Sequence, residues 1–207
     1  MTSATPIVFV VDDDVSVRES LEALIGTEGW RAECFASAQD FLARPPAQTP
    51  SCLILDVNLP DLNGLELQAQ MAGERLGMPI IFITGYGDIP MTVRAMKAGA
   101  AEFLTKPFAN DALVGAIQQA IDRSTASLRE EAELQTLRDR YASLSRRERE
   151  VMALVVVGRL NKQVGGELGI SEITVKAHRG RVMEKMQVRS LAELVKLNAR
   201  LHPAPTA

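Results

Sequence analysis

The sequence predicts an α/β front half, a five-stranded parallel sheet wound on both faces by helices, joined through a helical segment to an all-α tail of four helices. Three observations support this. Apolar runs of strand length alternate with helix-period segments through residue 123. Charge is uneven: residues 1–123 hold 16 acidic against 8 basic side chains, residues 124–141 hold 4 against 3, and residues 142–207 hold 6 against 12. Capping signals then bracket four short helices in the basic tail. An acidic half followed by a basic one predicts two modules, the second suited to a polyanion.

Composition removes several classes. With 207 residues, 46% hydrophobic and 24% charged, the chain is neither collagen-like nor disordered. No apolar run approaches the ~18–20 residues of a membrane span, and the first 15 residues lack a signal-peptide layout. We therefore expect a soluble, cytoplasmic protein with no membrane partner. Cys34 and Cys52 cannot build a disulfide framework, and without CxxC or HExxH a zinc site is not expected.

The strands are expected at Ile7–Val11, 32–35, 52–55, 80–83 and 102–104, and the helices between them at 16–25, 38–43, 65–76, 91–98 and 111–121. Five such pairs in about 120 residues fit a doubly wound, flavodoxin-like sheet of order 2-1-3-4-5. Ligands of such sheets bind beyond the carboxyl ends of the strands. Strand one ends in Asp12-Asp13-Asp14, strand three in Asp56, strand four in Thr84 and strand five in Thr105-Lys106-Pro107. A single Asp after a strand is ordinarily a turn or capping residue. Four strand ends that bring carboxylates, a hydroxyl and a lysine to one rim are better explained by chemistry. Crowded carboxylates repel unless a cation is bound, and oxygen-only donors favour a hard divalent ion such as Mg²⁺.

Val10-Val11-Asp12-Asp13-Asp14, Leu53-Ile54-Leu55-Asp56-Val57-Asn58-Leu59-Pro60 and Phe103-Leu104-Thr105-Lys106-Pro107 resemble the receiver domain of two-component response regulators across residues 6–123. The resemblance implies that Asp56 accepts a phosphoryl group from a sensor histidine kinase. It implies that Mg²⁺ or Mn²⁺ is held by Asp13 directly, by Asp12 chiefly through water, by Asp56, and by the backbone carbonyl of Asn58. Asp14 would instead cap the first helix. Lys106 would pair with the phosphoryl group, from a Lys–Pro step that is often cis in this family. Thr84 would bind a phosphoryl oxygen, and Phe103 would turn inward with it. The face of the fourth helix (about 89–99) and fifth strand would then dimerise, with Val93, Lys97 and Phe103 as candidates. Asn58 and Tyr86 are placed to tune hydrolysis.

Residues 111–142 read as the last helix of the front half running into a connector. Ile117, Ile121 and Leu128 hold one apolar stripe, and Leu134, Leu137, Tyr141 and Leu144 another. The phase slips between Leu128 and Leu134, too soon for a sustained coiled coil. A solvated helical linker over 124–141 is the simpler reading, and dimerisation through it stays open.

In the tail, Ser145-Arg146-Arg147-Glu148 is a capping box closed by Gly158, Asn161 is expected to cap 162–168 before Gly169, Ser171 to cap 172–186, and Ser190-Leu191-Ala192-Glu193 is a second box. A short helix, a Gly-containing turn and a longer basic helix form a helix-turn-helix layout. On the longer helix Val175, Val182, Met183 and Met186 mark the inward stripe, leaving Thr174, Lys176, Ala177, Arg179, Gly180 and Arg181 outward. Cations suit phosphates and guanine edges, and small residues permit close approach to a groove floor. A merely solvated basic helix would show the same charge.

Leu144-Ser145-Arg146-Arg147-Glu148 and Leu168-Gly169-Ile170-Ser171 through Thr174-Val175-Lys176-Ala177-His178-Arg179 resemble the LuxR-type helix-turn-helix over residues 144–201. With the receiver, the whole chain is similar to the FixJ branch of the NarL/FixJ regulators. This implies base-facing positions at Lys176, Ala177, Gly180 and Arg181, phosphate contacts from Thr174, Arg179 and Lys162, and promoter DNA and RNA polymerase as partners of a homodimer that activates transcription. Gly165 and Gly166 depart from the pattern and are expected to weaken their helix by roughly 0.5–1 kcal/mol each. His178 is expected to pack or to face a phosphate. The expected organisation is a receiver at 1–123, a linker at 124–141 and a DNA-binding domain at 142–207.

Two rival readings are a constitutive DNA-binding regulator whose receiver only dimerises, and an aspartate-nucleophile phosphatase in which Asp12 attacks and Asp14 is the general acid. The phosphatase reading leaves the tail unexplained and lacks a late acidic metal motif.

Overall fold

A computed structural model describes residues 5–74, 77–85 and 87–202, without the side chains of residues 72–74. Tyr86 and the end of the helix expected at 65–76 lie outside the described residues. Strands β1 (Ile7–Val11), β2 (Arg31–Phe35), β3 (Ser51–Asp56), β4 (Ile80–Thr84) and β5 (Glu102–Thr105) form one parallel sheet of order β2-β1-β3-β4-β5. The helices between them are α1 (Val15–Thr27), α2 (Ala38–Ala43), α3 (Gly64–Glu74) and α4 (Ile89–Lys97), and α5 (Asn110–Ala142) follows β5.

The strand alternation decides which helix packs where. Odd positions Ile7, Phe9 and Val11 of β1, with Leu53, Leu55 and Phe82, join Phe41 of α2, Leu67 of α3 and Ala95 of α4 in one core. Even positions Val8 and Val10, with Ile54, Ile81 and Ile83, join Leu21 and Ile25 of α1 and Leu113, Ile117 and Ile121 of α5 in the other. β1, β3 and β4 are buried along their whole length, as expected of central strands covered on both faces. Edge strand β2 is only half-buried, and Arg44 lies 4.5 Å above the Phe9 ring beside it.

The helix expected at 111–121 and the connector after it form the single 33-residue helix α5. The chain nevertheless divides into two compact units, one ending at Arg129 and the other beginning at Glu130. The two parts of α5 bury different faces, which is the physical origin of the phase slip. Ser124 is buried in the first unit, where its hydroxyl accepts the Ser51 amide at 3.0 Å. Leu137 is buried in the second, among Leu144, Met152, Val182 and Met186.

The second unit adds α6 (Arg146–Val156), α7 (Asn161–Leu168), α8 (Glu172–Lys185) and α9 (Leu191–Leu201). Ser145 and Glu148 form the expected capping box, and Ser171 caps α8. Ser190 caps α9 by accepting the Glu193 amide, but Glu193 reaches back to the amide of Arg189, so that box is one residue wider than expected. The expectation that Asn161 caps α7 is corrected. Asn161 is the first helical residue, and its side-chain oxygen is engaged by Arg179 at 2.6 Å, while Gln163 accepts the Leu160 amide instead. Gly165 is also more than a weak point. A Cβ there would lie 2.7 Å from the Ile170 carbonyl, so its absence lets the turn after α7 fold back onto the helix.

Candidate functional site

The carboxyl rim of the sheet gathers Asp12, Asp13, Asp56, Thr84 and Lys106. Asp12 directly follows β1 and Asp56 ends β3, and both strands are buried along their length, so both carboxylates are drawn down with them, to 1% and 8% exposure. Lys106 Nζ bridges the two, at 2.7 Å from Asp12 Oδ2 and 2.8 Å from Asp56 Oδ2. It follows β5 and precedes a cis peptide bond to Pro107. Oxygens of Asp12, Asp13 and Asp56 come within 4.8 Å of one another. One ammonium against three carboxylates leaves two negative charges uncompensated, and the donors are all oxygen. That set fits a hard divalent cation.

The electrostatics follow from burial. Burial raises the Asp12 carboxyl above its usual range, against the opposing pull of Lys106 and of the Asp14 amide. Burial works against the charge on Lys106, but its hydrogen bonds to Asp12 and Asp56 outweigh it and hold the ammonium protonated above its ordinary value.

The loop after β3 completes the pocket. The Asn58 amide donates to Asp56 Oδ1 at 2.9 Å, and Asn58 Nδ2 donates to the Thr84 hydroxyl at 3.2 Å. Thr84 is fully buried. Gly64 is required here, because a Cβ would sit 2.8 Å from the Asp56 carbonyl. Asp14 caps α1 through the Ser16 amide at 2.8 Å. Phe103 is half-buried, its ring centroid 6.1 Å from that of Phe82. On α4, Val93 and Lys97 are exposed, and so are Ile89 at 81% and Met96, which sequence reasoning did not single out.

Arg18 was also missed. Its Nη1 donates to the Asp12 carbonyl at 2.7 Å and the Asp13 carbonyl at 2.9 Å, pinning the backbone that presents both carboxylates. Gln68, buried on α3, donates to the Ala98 carbonyl at 3.1 Å, at the end of α4. Only the scarcity of cations in the acidic half could have pointed to Arg18; nothing in the pattern marked Gln68.

In the second unit Lys162, Lys176, Ala177, Gly180 and Arg181 are exposed. Lys176 pairs with Glu172 one turn back at 3.4 Å. Thr174 is half-buried, its hydroxyl 2.8 Å from that of Ser171. Arg179 is half-buried rather than outward, since it donates to Asn161 across to α7. His178 is half-buried as well.

Comparison with known proteins agrees with both units. The response regulator receiver domain pattern matches residues 8–118, and that of bacterial regulatory proteins of the luxR family matches residues 142–198. Nodulation protein W of Bradyrhizobium diazoefficiens is 47% identical over 199 residues, covering 96% of this chain and 88% of that protein. Transcriptional regulatory protein FixJ of the same organism is 42% identical over 193 residues, covering 93% and 94%. The solved structure of the response regulator StyR shares 48% identity at a TM-score of 0.84, covering 95% of this chain and 100% of that one. The chain belongs to the NarL/FixJ family of two-component response regulators, with a receiver and a LuxR-type DNA-binding domain. It is a phosphorylation-dependent transcription regulator, and its relatives are regulators rather than enzymes. Among the described residues no helix is long and apolar enough to cross a membrane.

Proposed function

We propose that Asp56 is the phosphoryl acceptor, and that its phosphorylation converts the chain into a dimer that activates transcription from promoter DNA. The observation that supports this best is the bridge from Lys106 to Asp12 and Asp56. A half-buried lysine held against two carboxylates is already aimed at the place where phosphoryl oxygens arrive. An Asp56 carboxylate oxygen attacks phosphorus as the bond to the imidazole nitrogen of the kinase phosphohistidine breaks. Lys106 then exchanges a carboxylate partner for a phosphoryl oxygen, which stabilises the charge of the transition state. Mg²⁺, or Mn²⁺ in its place, supplies further neutralisation when held by Asp12, Asp13, Asp56 and the backbone carbonyl of Asn58. Arg18 keeps the two acidic backbone positions in register. The kinase reaches the acceptor along the groove lined by Val17, Leu21, Leu24, Pro107 and Phe108, which borders Lys106.

The switch is read through Thr84. Without phosphate its hydroxyl accepts from Asn58; a phosphoryl oxygen accepts the hydroxyl's own hydrogen, Thr84 is drawn towards it, and Phe103 follows. The exposed Val93, Met96 and Lys97 of α4 and the edge of β5 then form the dimer face. In this reading the receiver spans 1–123, the connector 124–141 and the DNA-binding domain 142–207, and the protein works in the cytoplasm. Lys162, Thr174 and Arg179 approach phosphates, and Lys176, Ala177, Gly180 and Arg181 approach bases. RNA polymerase is then recruited beside the bound dimer. A pair of recognition helices ~34–36 Å apart calls for an inverted-repeat operator.

The test is intact-mass measurement after incubation with acetyl phosphate and Mg²⁺. One phosphoryl group on the wild type and none on Asp56→Asn is the expected result. An adduct that persists in Asp56→Asn would exclude Asp56 as the acceptor.

A further inference from the structure

The outward row of α8 begins in its first turn, ahead of Lys176. Ile173, in the first turn, is 79% exposed. Lys176 and Ala177 stand three and four residues after it, and Gly180 and Arg181 seven and eight, so all five share one face. The opposite face, Val175 and Val182, is buried at 0% and 1%. The row therefore has an apolar centre of Ile173 and Ala177 with a side-chain-free step at Gly180, bordered by the cations Lys176 and Arg181.

The fold itself does not ask for this arrangement. A Cβ at Gly180 would meet nothing within 4 Å. A glycine inside a helix costs roughly 0.5–1 kcal/mol relative to alanine, and no contact within the unit recovers that cost. Clearance at Gly180 leaves room for something that approaches α8 from outside. Ile173 likewise exposes a large side chain that no packing retains. A DNA major groove satisfies both. Its floor presents one apolar group, the thymine 5-methyl, and its walls are phosphates that match the bordering cations.

We infer that Ile173 is a base-reading residue, and that it specifies thymine through the 5-methyl group while Ala177 and Gly180 let the helix sink far enough for contact. The N-terminal residues of a recognition helix are those that meet base edges, and Ile173 occupies that turn. Glu172, its neighbour, holds Lys176 at 3.4 Å in the free protein and releases it when a phosphate or guanine competes. This inference rests on α8 entering the major groove.

The experiment uses the full-length protein treated with acetyl phosphate and Mg²⁺. A duplex pool with a randomised centre is selected for binding, and each thymine of the preferred duplex is then replaced singly by deoxyuridine, which removes only the methyl group. Affinity is measured for the wild type and for Ile173→Ala, whose exposed position spares folding. One thymine per half-site is expected at which deoxyuridine weakens the wild type by about fourfold, the equivalent of one methyl group leaving an apolar contact. Ile173→Ala should show a similar loss on the thymine duplex and no further loss with deoxyuridine. If deoxyuridine costs the variant as much as the wild type at every position, or costs neither anything, Ile173 does not read thymine. Lys176→Ala and Arg181→Ala separate the two ideas: if they too leave affinity and sequence preference unchanged, α8 is not in the groove, and both fail.

Discussion

Each unit of the molecule buries a carboxylate against a lysine, and the two pairs differ in what surrounds them. In the second unit Glu148 is 3% exposed and closed on all sides. Lys185 donates to its Oε2 at 2.7 Å, the Ser145 amide donates at 2.9 Å, and Lys185 also donates to the Ser143 carbonyl. Charge balances there. In the first unit Lys106 faces Asp12 and Asp56 with Asp13 alongside, and charge does not balance. A balanced pair fastens α6 to α8, whereas an unbalanced set of oxygens suits a further cation. Burial alone would have ranked the two together; the surplus of charge separates structure from chemistry.

Lys106→Ala should break the comparison most visibly. Phosphoryl uptake from acetyl phosphate, followed by intact mass, should slow by about 10²–10³, the usual cost of removing one donor to a developing charge. Unchanged uptake would mean that Lys106 only balances charge, as Lys185 does.

Glu148→Ala should instead leave uptake alone and cost the second unit about 2–3 kcal/mol, through two lost charge-assisted hydrogen bonds. Hydrogen exchange should speed up in α6 and α8 and not in β1 and β3. Lys185, and next the Ser145 amide, hold the Glu148 carboxyl below the usual range. A depressed folded value means that its stabilisation is complete above the ordinary glutamate pKa of about 4.3. That stabilisation is lost as pH falls through the lower folded value. The difference between wild type and Glu148→Ala should therefore shrink below about pH 4; a gap that persists at pH 2 would point to packing rather than charge.

Mg²⁺ sharpens the comparison from the other side. At tenfold its Kd it should stabilise the first unit by about 1.4 kcal/mol, seen as slower exchange in β1 and β3, with α6 and α8 unmoved. Equal protection of both units would mean that the acid pocket is not the binding place. The smallest effect is expected at Gly165→Ala, which should destabilise by about 1 kcal/mol because of the crowded Ile170 carbonyl, where helix propensity alone predicts a gain of similar size. A measured gain in thermal midpoint would show that the turn after α7 can relax.

The rim residues were legible because a parallel sheet covered on both faces writes each strand as an unbroken apolar run, and the first polar residue after the run marks the rim. Asp12, Asp56 and Thr84 follow from that rule, and Lys106 nearly so. Residues that act on backbone groups far along the chain leave no such mark. Arg18 bonds to carbonyls, which every residue has. Asn161 has the chemistry of a cap and the position of one, yet the guanidinium of Arg179 claims its oxygen. Gly165 looks like a flaw until the Ile170 carbonyl is seen to return beside it. The slipped stripe of α5 is a sequence signal of another kind: it marks where an unbroken helix changes the core it serves.

The contact between Lys106 and Asp12 spans 94 positions of the chain. On a ribosome, where synthesis runs from Asp12 onward, the acid loop and Asp56 emerge long before the lysine that draws them together. A nascent chain short of β5 therefore has Asp12 and Asp56 without the lysine that bridges them, and no finished pocket. Once β5 and the turns of α5 that cover it are released, the pocket closes while α6 to α9 are still to be made. Competence to receive the signal is thus acquired, in the life of each molecule, before the means to act on it.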